Sequence, residues 1–141
     1  MGLLRDEDAA EIRRRLSAMT APVKLVHFTQ ELNVEYGVET RQVFEELAAL
    51  SDNLSLEIYD FILDKEKVAE YGVDKVPATV IRNGKDYGIR YYGMPAGYEF
   101  ATVLDAILDV SKGDSGLEAE TREKLAHLTE PIHLEVFVTP T

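Results

Sequence analysis

Four residues, Val34, Glu35, Tyr36 and Gly37, stand where a short apolar strand, VKLVHF, gives way to an amphipathic helix, TRQVFEEL. Such a junction suits chemistry, because the free N–H groups and the dipole of a helix N-terminus favour negative charge there. None of the four residues is an obvious nucleophile, metal ligand or phosphate clamp. The sequence therefore has the position of a reactive site but lacks a reactive group.

The rest of the chain offers little other chemistry. No cysteine occurs among the 141 residues, which excludes disulfides, thiolate catalysis and thiolate metal sites within the chain. His27, His127 and His133 lie far apart and lack the spacing of metal ligands, so we expect no metal site. The glycines of GMPAG match no nucleotide-binding pattern, and we expect no cofactor.

Charge and hydropathy limit the partners and the location. The net charge of −11 disfavours nucleic acid, because phosphate binding needs clustered Lys and Arg. No apolar run approaches the ~18 residues that span a bilayer, so we expect no membrane partner. The N-terminal stretch MGLLRDEDAAEIRRRL is too charged for a signal peptide. We therefore expect a cytoplasmic protein with protein or small-molecule partners.

Apolar periodicity predicts the elements around the corner. It predicts helices over 3–17, 38–50, 64–72 and 98–111 and strands over 23–28 and 54–60. A hairpin follows in VPATVIRNGKDYGIRYY, with Asn83-Gly84 as a pair favoured in tight turns. One mixed α/β sheet with helices on both faces accommodates this order. The order βαβ, α, ββα after an extra N-terminal helix is that of the thioredoxin fold.

The C-terminal region extends beyond that fold. A linker over 113–117 leads to a helix in LEAETREKLAHL and a last strand in PIHLEVFVTPT. PVKLVHF at 22–28 aligns without a gap with PIHLEVF at 131–137, which indicates a repeat with an offset of 109 residues. We therefore predict a thioredoxin-fold unit over 1–113 and the linker, helix and first strand of a truncated second unit over 114–141.

A strand without its natural partners exposes apolar surface and unpaired N–H groups. We expect the last strand either to pair with an edge strand or to be mobile. The edge strand could belong to its own sheet or to a neighbouring molecule, and the second case gives a homodimer.

The thioredoxin fold gives a defined role to two parts of this chain, the corner over 34–37 and the Val76-Pro77 pair. Its active corner usually carries Cys-x-x-Cys at the helix N-terminus, where the dipole makes the first thiol acidic. A proline that opens the third strand, usually after a cis peptide bond, forms the opposite wall. Val76-Pro77 opens the strand ATVI here, and the fold assignment predicts the cis form.

Longer stretches resemble the archaeal and bacterial protein disulfide oxidoreductases, glutaredoxin-like proteins built from two tandem thioredoxin-fold units. These stretches are ETRQVFEELAALSDNLSLEIYDF, YGVDKVPATVI, GKDYGIRYYGMPAGYEF and EVFVTPT. The resemblance implies that Val34 and Gly37 replace the two cysteines, while Tyr36 keeps the aromatic residue between them. It also implies a Cys-Pro-Tyr-Cys motif of the second unit at the point where the chain ends, after Thr141.

The resemblance implies no catalytic residue and no enzymatic activity for this chain alone. The leading hypothesis is a redox-inert unit that positions an active second unit and helps to bind protein substrates. A non-redox peptide-binding adaptor is a second hypothesis. A third is the N-terminal unit of a peroxide-reducing system that resembles the flavoprotein subunit of alkyl hydroperoxide reductase.

The corner itself allows two interpretations. It is either a peptide-docking groove that has survived without chemistry or a decayed site retained only for folding. In the first case an extended peptide would add to the strand that begins at the proline. Glu35, Tyr36, Val76 and Pro77 are then the candidate peptide-binding residues.

Overall fold

The structure, a computed structural model, describes residues 2–30, 32 and 34–139. Its elements in chain order are α1 (Asp6–Leu16), β1 (Val23–Thr29), α2 (Gly37–Ala48), β2 (Leu54–Asp60), α3 (Lys65–Tyr71), β3 (Ala78–Arg82), β4 (Asp86–Tyr92), α4 (Tyr98–Lys112) and α5 (Ala119–Ala126). The strands form one mixed sheet in the order β2-β1-β3-β4. β1 runs parallel to β2, and β3 is antiparallel to both of its neighbours. This architecture confirms the predicted α/β thioredoxin fold.

Helices α1, α2 and α4 cover one face of the sheet and form the larger core. The periodic apolar residues predicted for α2 and α4 point inward, as the 3.6-residue repeat requires. Fully buried side chains of this core include Leu16, Leu25, Phe44, Leu47, Ile81 and Ile107. α4 ends at Gly113, whose φ of 67° is the left-handed conformation that glycine adopts without a steric penalty.

A smaller core lies on the other face of the sheet, under α3. Val26 and Phe28 of β1 are fully buried there together with Val80, and they pack with the buried Tyr71. Arg82 Nη1 donates to Tyr71 Oη over 2.9 Å, which ties β3 to the end of α3. β1 is therefore buried on both faces, as its continuous apolar sequence predicts.

The hairpin between β3 and β4 is confirmed, but three residues, 83–85, connect its strands. The side chain of Asn83 explains this loop. Its Oδ1 accepts from the Lys85 N–H over 2.8 Å, and its Nδ2 donates to the Val110 carbonyl over 2.9 Å. Asn83 thus closes the loop and also joins it to the end of α4.

The C-terminal region differs from the rest of the chain. α5 has no buried residue, and 131–139 form no strand with any part of the chain that the structure describes. The strand predicted over 131–141 is therefore not formed here, because a strand needs a partner for its N–H and C=O groups. Pro140 and Thr141, at the end of that prediction, lie outside the described residues.

Within the described ranges, no helix combines the length and the apolar character that crossing a bilayer requires.

Candidate functional site

The predicted site residues come together at one end of the sheet. β1 ends at Thr29, and the antiparallel register pairs Phe28 with Ala78. Pro77, which immediately precedes β3, therefore lies across from the end of β1, from which the chain leads to the corner. The Val76–Pro77 peptide bond is cis. Glu31 and Asn33, which belong to the connecting stretch, lie outside the described residues.

Tyr36 occupies the start of α2 in an unusual conformation. Its φ of 57° and ψ of 20° are left-handed, and no other non-glycine residue in the described parts of the chain has a positive φ. The Tyr36 carbonyl accepts from both the N–H and the hydroxyl of Thr40, over 2.8 and 2.5 Å. The side chain is 56% exposed. Sequence reasoning missed this conformation, because a bulky aromatic residue rarely adopts it.

Gly37 and Val34 have the relative positions of a cysteine pair. A Cβ atom added at Gly37 would lie 3.4 Å from the Val34 Cβ. Cβ atoms joined through a disulfide are about 3.5–4.5 Å apart. The same added atom would lie 3.0 Å from the Gln30 carbonyl oxygen, so glycine relieves a close backbone approach at this position. The separation of the two positions is thus close to the lower limit for a disulfide, in agreement with the prediction that Val34 and Gly37 stand in the places of two cysteines.

A cavity of about 300 Å³ opens beside the start of α2. Its lining consists of Thr29, Gly37, Val38, Arg41, Gln42 and Glu45. Arg41 Nε donates to Glu45 Oε1 over 2.8 Å, so the cation and the carboxylate partly neutralise each other. The lining offers hydrogen-bonding groups and apolar surface but no activated nucleophile.

His27 lies below this corner, fully buried in β1. Its Nδ1 is 2.9 Å from Thr79 Oγ1, and its Nε2 has no hydrogen-bond partner among the described residues. The pKa of His27 is lowered to about 4, mainly by burial and also by the Arg41 cation, whereas Glu45 opposes the shift. The imidazole is therefore neutral near pH 7. His27 fills a strand position, as expected, and the described residues contain no cluster suited to a metal ion.

The backbone next to Pro77 has free hydrogen-bonding capacity. The Pro77 carbonyl accepts from the Gly93 N–H over 2.9 Å, which extends the pairing of β3 with β4. Val76, one residue earlier, makes no backbone hydrogen bond to any described residue. Val76 is half-buried and Pro77 is buried, whereas Glu35 is exposed. The assignment of these residues and Tyr36 to peptide binding stays a prediction.

Exposed apolar side chains surround the start of α2. Leu32 and Val38 are 74% and 61% exposed, in addition to Tyr36. An extended peptide could therefore find apolar contacts at this end of the sheet and an unpaired strand start at Val76.

Comparison with curated proteins finds relatives of one kind. The chain is 29% identical over 99 residues to the F subunit of alkyl hydroperoxide reductase from Xanthomonas campestris pv. phaseoli and 27% identical over 104 residues to that from Staphylococcus epidermidis. These alignments cover 70% and 73% of this chain but only 17% and 18% of the relatives. No family model matches the chain.

The solved structures that superpose on this chain include a protein disulfide oxidoreductase and an alkyl hydroperoxide reductase F subunit. A protein disulfide oxidoreductase from Aeropyrum pernix superposes with a TM-score of 0.79 at 27% identity, over 88% of this chain and 55% of that one. The F subunit of alkyl hydroperoxide reductase from Enterococcus faecalis superposes with a TM-score of 0.78 at 24% identity, over 89% of this chain and 61% of that one.

The fold, the cysteine-like placement of Val34 and Gly37, and these similarities agree with one another. The chain is a cysteine-free thioredoxin-fold unit that resembles the protein disulfide oxidoreductases and the N-terminal thioredoxin-fold domains of the alkyl hydroperoxide reductase F subunits.

Proposed function

We propose that this unit is a redox-inert part of a larger thiol–disulfide oxidoreductase, in which it positions an active second unit and binds extended segments of protein substrates. The active unit would supply the thiols that this chain lacks. The corner formed by 34–37 and by Val76-Pro77 would hold the substrate backbone. The expectation of a cytoplasmic location and a role in cell redox homeostasis belongs to this proposal.

The conformation of Tyr36 carries the peptide-binding part of the proposal. A left-handed tyrosine costs about 1–2 kcal/mol, and glycine at the same position would avoid this cost. Strained residues persist mainly where function requires them. The two hydrogen bonds from Thr40 to the Tyr36 carbonyl help to hold this backbone conformation, but they do not require an exposed aromatic side chain at this position. The strain therefore favours a docking surface over a decayed site.

A second candidate function has its own support. The relatives from Xanthomonas campestris and Staphylococcus epidermidis are both F subunits of alkyl hydroperoxide reductase, whose name indicates peroxide reduction. The unit would then serve a peroxide-reducing system instead of general disulfide exchange. The residues encoded after Thr141 separate the candidates: a following C-x-x-C supports both, and a flavin-binding domain further downstream selects the second. A stop codon favours a free-standing non-redox adaptor.

The redox part is tested with a gain-of-function variant. We expect the chain to match the blank in an insulin-reduction assay with dithiothreitol, because exchange needs a thiolate. Val34→Cys with Gly37→Cys should form an internal disulfide under oxidised glutathione, since the two Cβ positions are 3.4 Å apart. Some loss of stability is expected because the Gln30 carbonyl must move. Activity in the unmodified chain, or two thiols that never pair, would contradict this assignment of the corner.

The peptide-binding part is tested with Tyr36→Gly. Carboxymethylated insulin B chain, labelled with a fluorophore, is the probe, and fluorescence anisotropy is the measurement. We expect about tenfold weaker binding, while the free energy of unfolding stays equal or rises by up to ~1 kcal/mol as the strain is relieved. Tyr87→Ala is the control, because this exposed tyrosine lies in β4 near the hairpin loop, at the other end of the sheet. Equal losses in both variants would refute a docking role for the corner.

A further inference from the structure

The internal repeat is longer than the last strand. Residues 10–28 and 119–137 align without a gap at the same offset of 109 residues. Eight positions are identical: Ala10 and Ala119, Glu11 and Glu120, Arg13 and Arg122, Leu16 and Leu125, Thr20 and Thr129, Pro22 and Pro131, Leu25 and Leu134, Phe28 and Phe137. The match covers the last seven residues of α1, the turn and nearly all of β1. Residues 119–139, here called the tail, therefore carry the pattern of an α1–β1 segment.

One substitution makes the tail unsuitable for the sheet of its own unit. Glu135 corresponds to Val26, which is fully buried in the smaller core. Val26 lies beside Glu57 in the register of β1 and β2, and Glu57 is paired with Lys24 of β1. The tail has His133 in the place of Lys24, so in the position of β1 it would set Glu135 beside Glu57 without that lysine. Burial of an unpaired charge is strongly unfavourable. In the tail, by contrast, Glu135 is exposed and lies 2.8 Å from His133 Nε2.

The other face of the tail is more apolar than its counterpart in β1. By the alternation of a strand, Ile132, Leu134, Val136 and Val138 share one face. The corresponding face of β1 contains His27 and Thr29 at its last two positions and packs against α2 and α4. The tail therefore suits a sheet in which helices cover one face with purely apolar contacts.

We propose that Glu135 excludes the tail from the sheet of its own unit, so that the tail stays available as the first strand of the second unit predicted from the sequence. The partner it fits has a strand on each side of the tail and an apolar helical layer against Ile132, Leu134 and Val136. Beside Glu135 it leaves water or places a cation. The proposal deepens the idea of a second unit, but it rests on the repeat and on Val26 and does not depend on peptide binding.

A charge exchange in the full chain tests the role of Glu135. Val26→Glu alone should unfold the protein, because the buried carboxylate now lies in β1. Val26→Glu with Glu135→Val moves the charge out of the tail, so the tail should replace β1 and restore the folded state. We expect the ratio of folded to unfolded protein to rise by about a hundredfold or more over Val26→Glu alone. Thermal denaturation followed by circular dichroism measures this ratio.

A disulfide identifies the strand that fills the sheet. His133 corresponds to Lys24, which pairs with Ser55 of β2, so His133→Cys and Ser55→Cys should join when the tail is inserted. The chain has no cysteine of its own to interfere. Val26→Glu with Glu130→Val is the matched control: it removes a tail carboxylate at a different position and should restore neither folding nor cross-linking.

Thr121→Ile, added to Val26→Glu with Glu135→Val, should stabilise the folded state with the tail inserted. Thr121 corresponds to the buried Ile12, and the added isoleucine should improve the contacts of the inserted tail. Rescue by the exchange, with or without Thr121→Ile, together with the cross-link supports the proposal. The proposal is overturned if neither variant folds. It is equally overturned if Val26→Glu alone folds with the tail cross-linked, because Glu135 would then be no barrier.

Discussion

Two regions of this molecule share a sequence pattern and have opposite surroundings. Leu16 in α1 is 1% exposed and its counterpart Leu125 is 49% exposed; Phe28 in β1 is 0% exposed and its counterpart Phe137 is 90% exposed. The apolar pattern is similar in both regions, so the pattern alone does not decide burial. β1 is buried because β2 and β3 flank it and helices cover it. An apolar repeat predicts which residues can form a core, and the neighbouring elements determine whether they do.

The largest expected contrast concerns the two phenylalanines. Phe28→Ala should lower the free energy of unfolding by about 3–5 kcal/mol, because it leaves a cavity in the smaller core. Phe137→Ala should change it by less than about 0.5 kcal/mol, because that ring contributes little to the core. Urea denaturation of both variants measures the difference. Similar losses would show that the tail is part of this unit's own core.

The next contrast concerns pH. Val136 occupies the place in the tail that His27 occupies in β1. The pKa of His27 is about 4 when folded and about 6.5 when unfolded, so the unfolded chain binds the extra proton. The neutral, buried His27 therefore stabilises the folded state above pH 6.5. As the pH falls towards 4, the free energy of unfolding decreases by up to about 3 kcal/mol on account of this histidine. Arg41 and Glu45 are the charged groups that act on the imidazole.

His27→Val should remove this part of the pH dependence, and His133→Val in the tail should leave it unchanged. Chemical denaturation at several pH values between 7 and 4 compares the three proteins. Stability curves of the wild type and His27→Val that run parallel over this range would contradict a buried neutral histidine.

The smallest expected effect is that of removing the tail together with residue 118 and the last two residues. Deletion of 118–141 should change the free energy of unfolding by less than about 0.5 kcal/mol, because α5 has no buried residue. Thermal denaturation of both proteins at several concentrations measures it. A large loss of stability that is independent of concentration would place the last strand in this unit's own core. A loss that grows with concentration would instead reveal the homodimer that the unpaired strand allows.

Much of the fold can be predicted from the sequence, because α2 and α4 have strong apolar periodicity, β1 is a continuous apolar run and Gly113 gives a clear stop signal. The position of the corner can also be predicted, since it follows from the order of the elements. The left-handed Tyr36 and the crowded backbone around Gly37 could not be predicted. Both depend on how the chain closes in space between β1 and α2, and no local preference of tyrosine or glycine indicates it.

That His27 Nε2 has no hydrogen-bond partner within the described residues could not be predicted either. A histidine within an apolar run is compatible with an exposed or a buried ring, and its burial here depends on tertiary contacts such as those with Phe44 and Thr79. The three-residue loop after β3 was missed for a similar reason. Asn83-Gly84 favours a tight turn locally, but the hydrogen bond from Asn83 to the Val110 carbonyl requires the completed α4 helix.

The hydrogen bond from Asn83 to the Val110 carbonyl also determines where the chain leaves the sheet after α4. It fastens the end of α4 to the hairpin loop, so the chain beyond Gly113 begins at a point that is tied to the sheet. The loop and the corner lie at opposite ends of β3, whose five residues span about 17 Å. A second unit after Gly113, which the sequence predicts, would therefore begin at the end of the sheet opposite the corner. To act on a peptide bound at the corner, that unit would have to extend back along the length of β3.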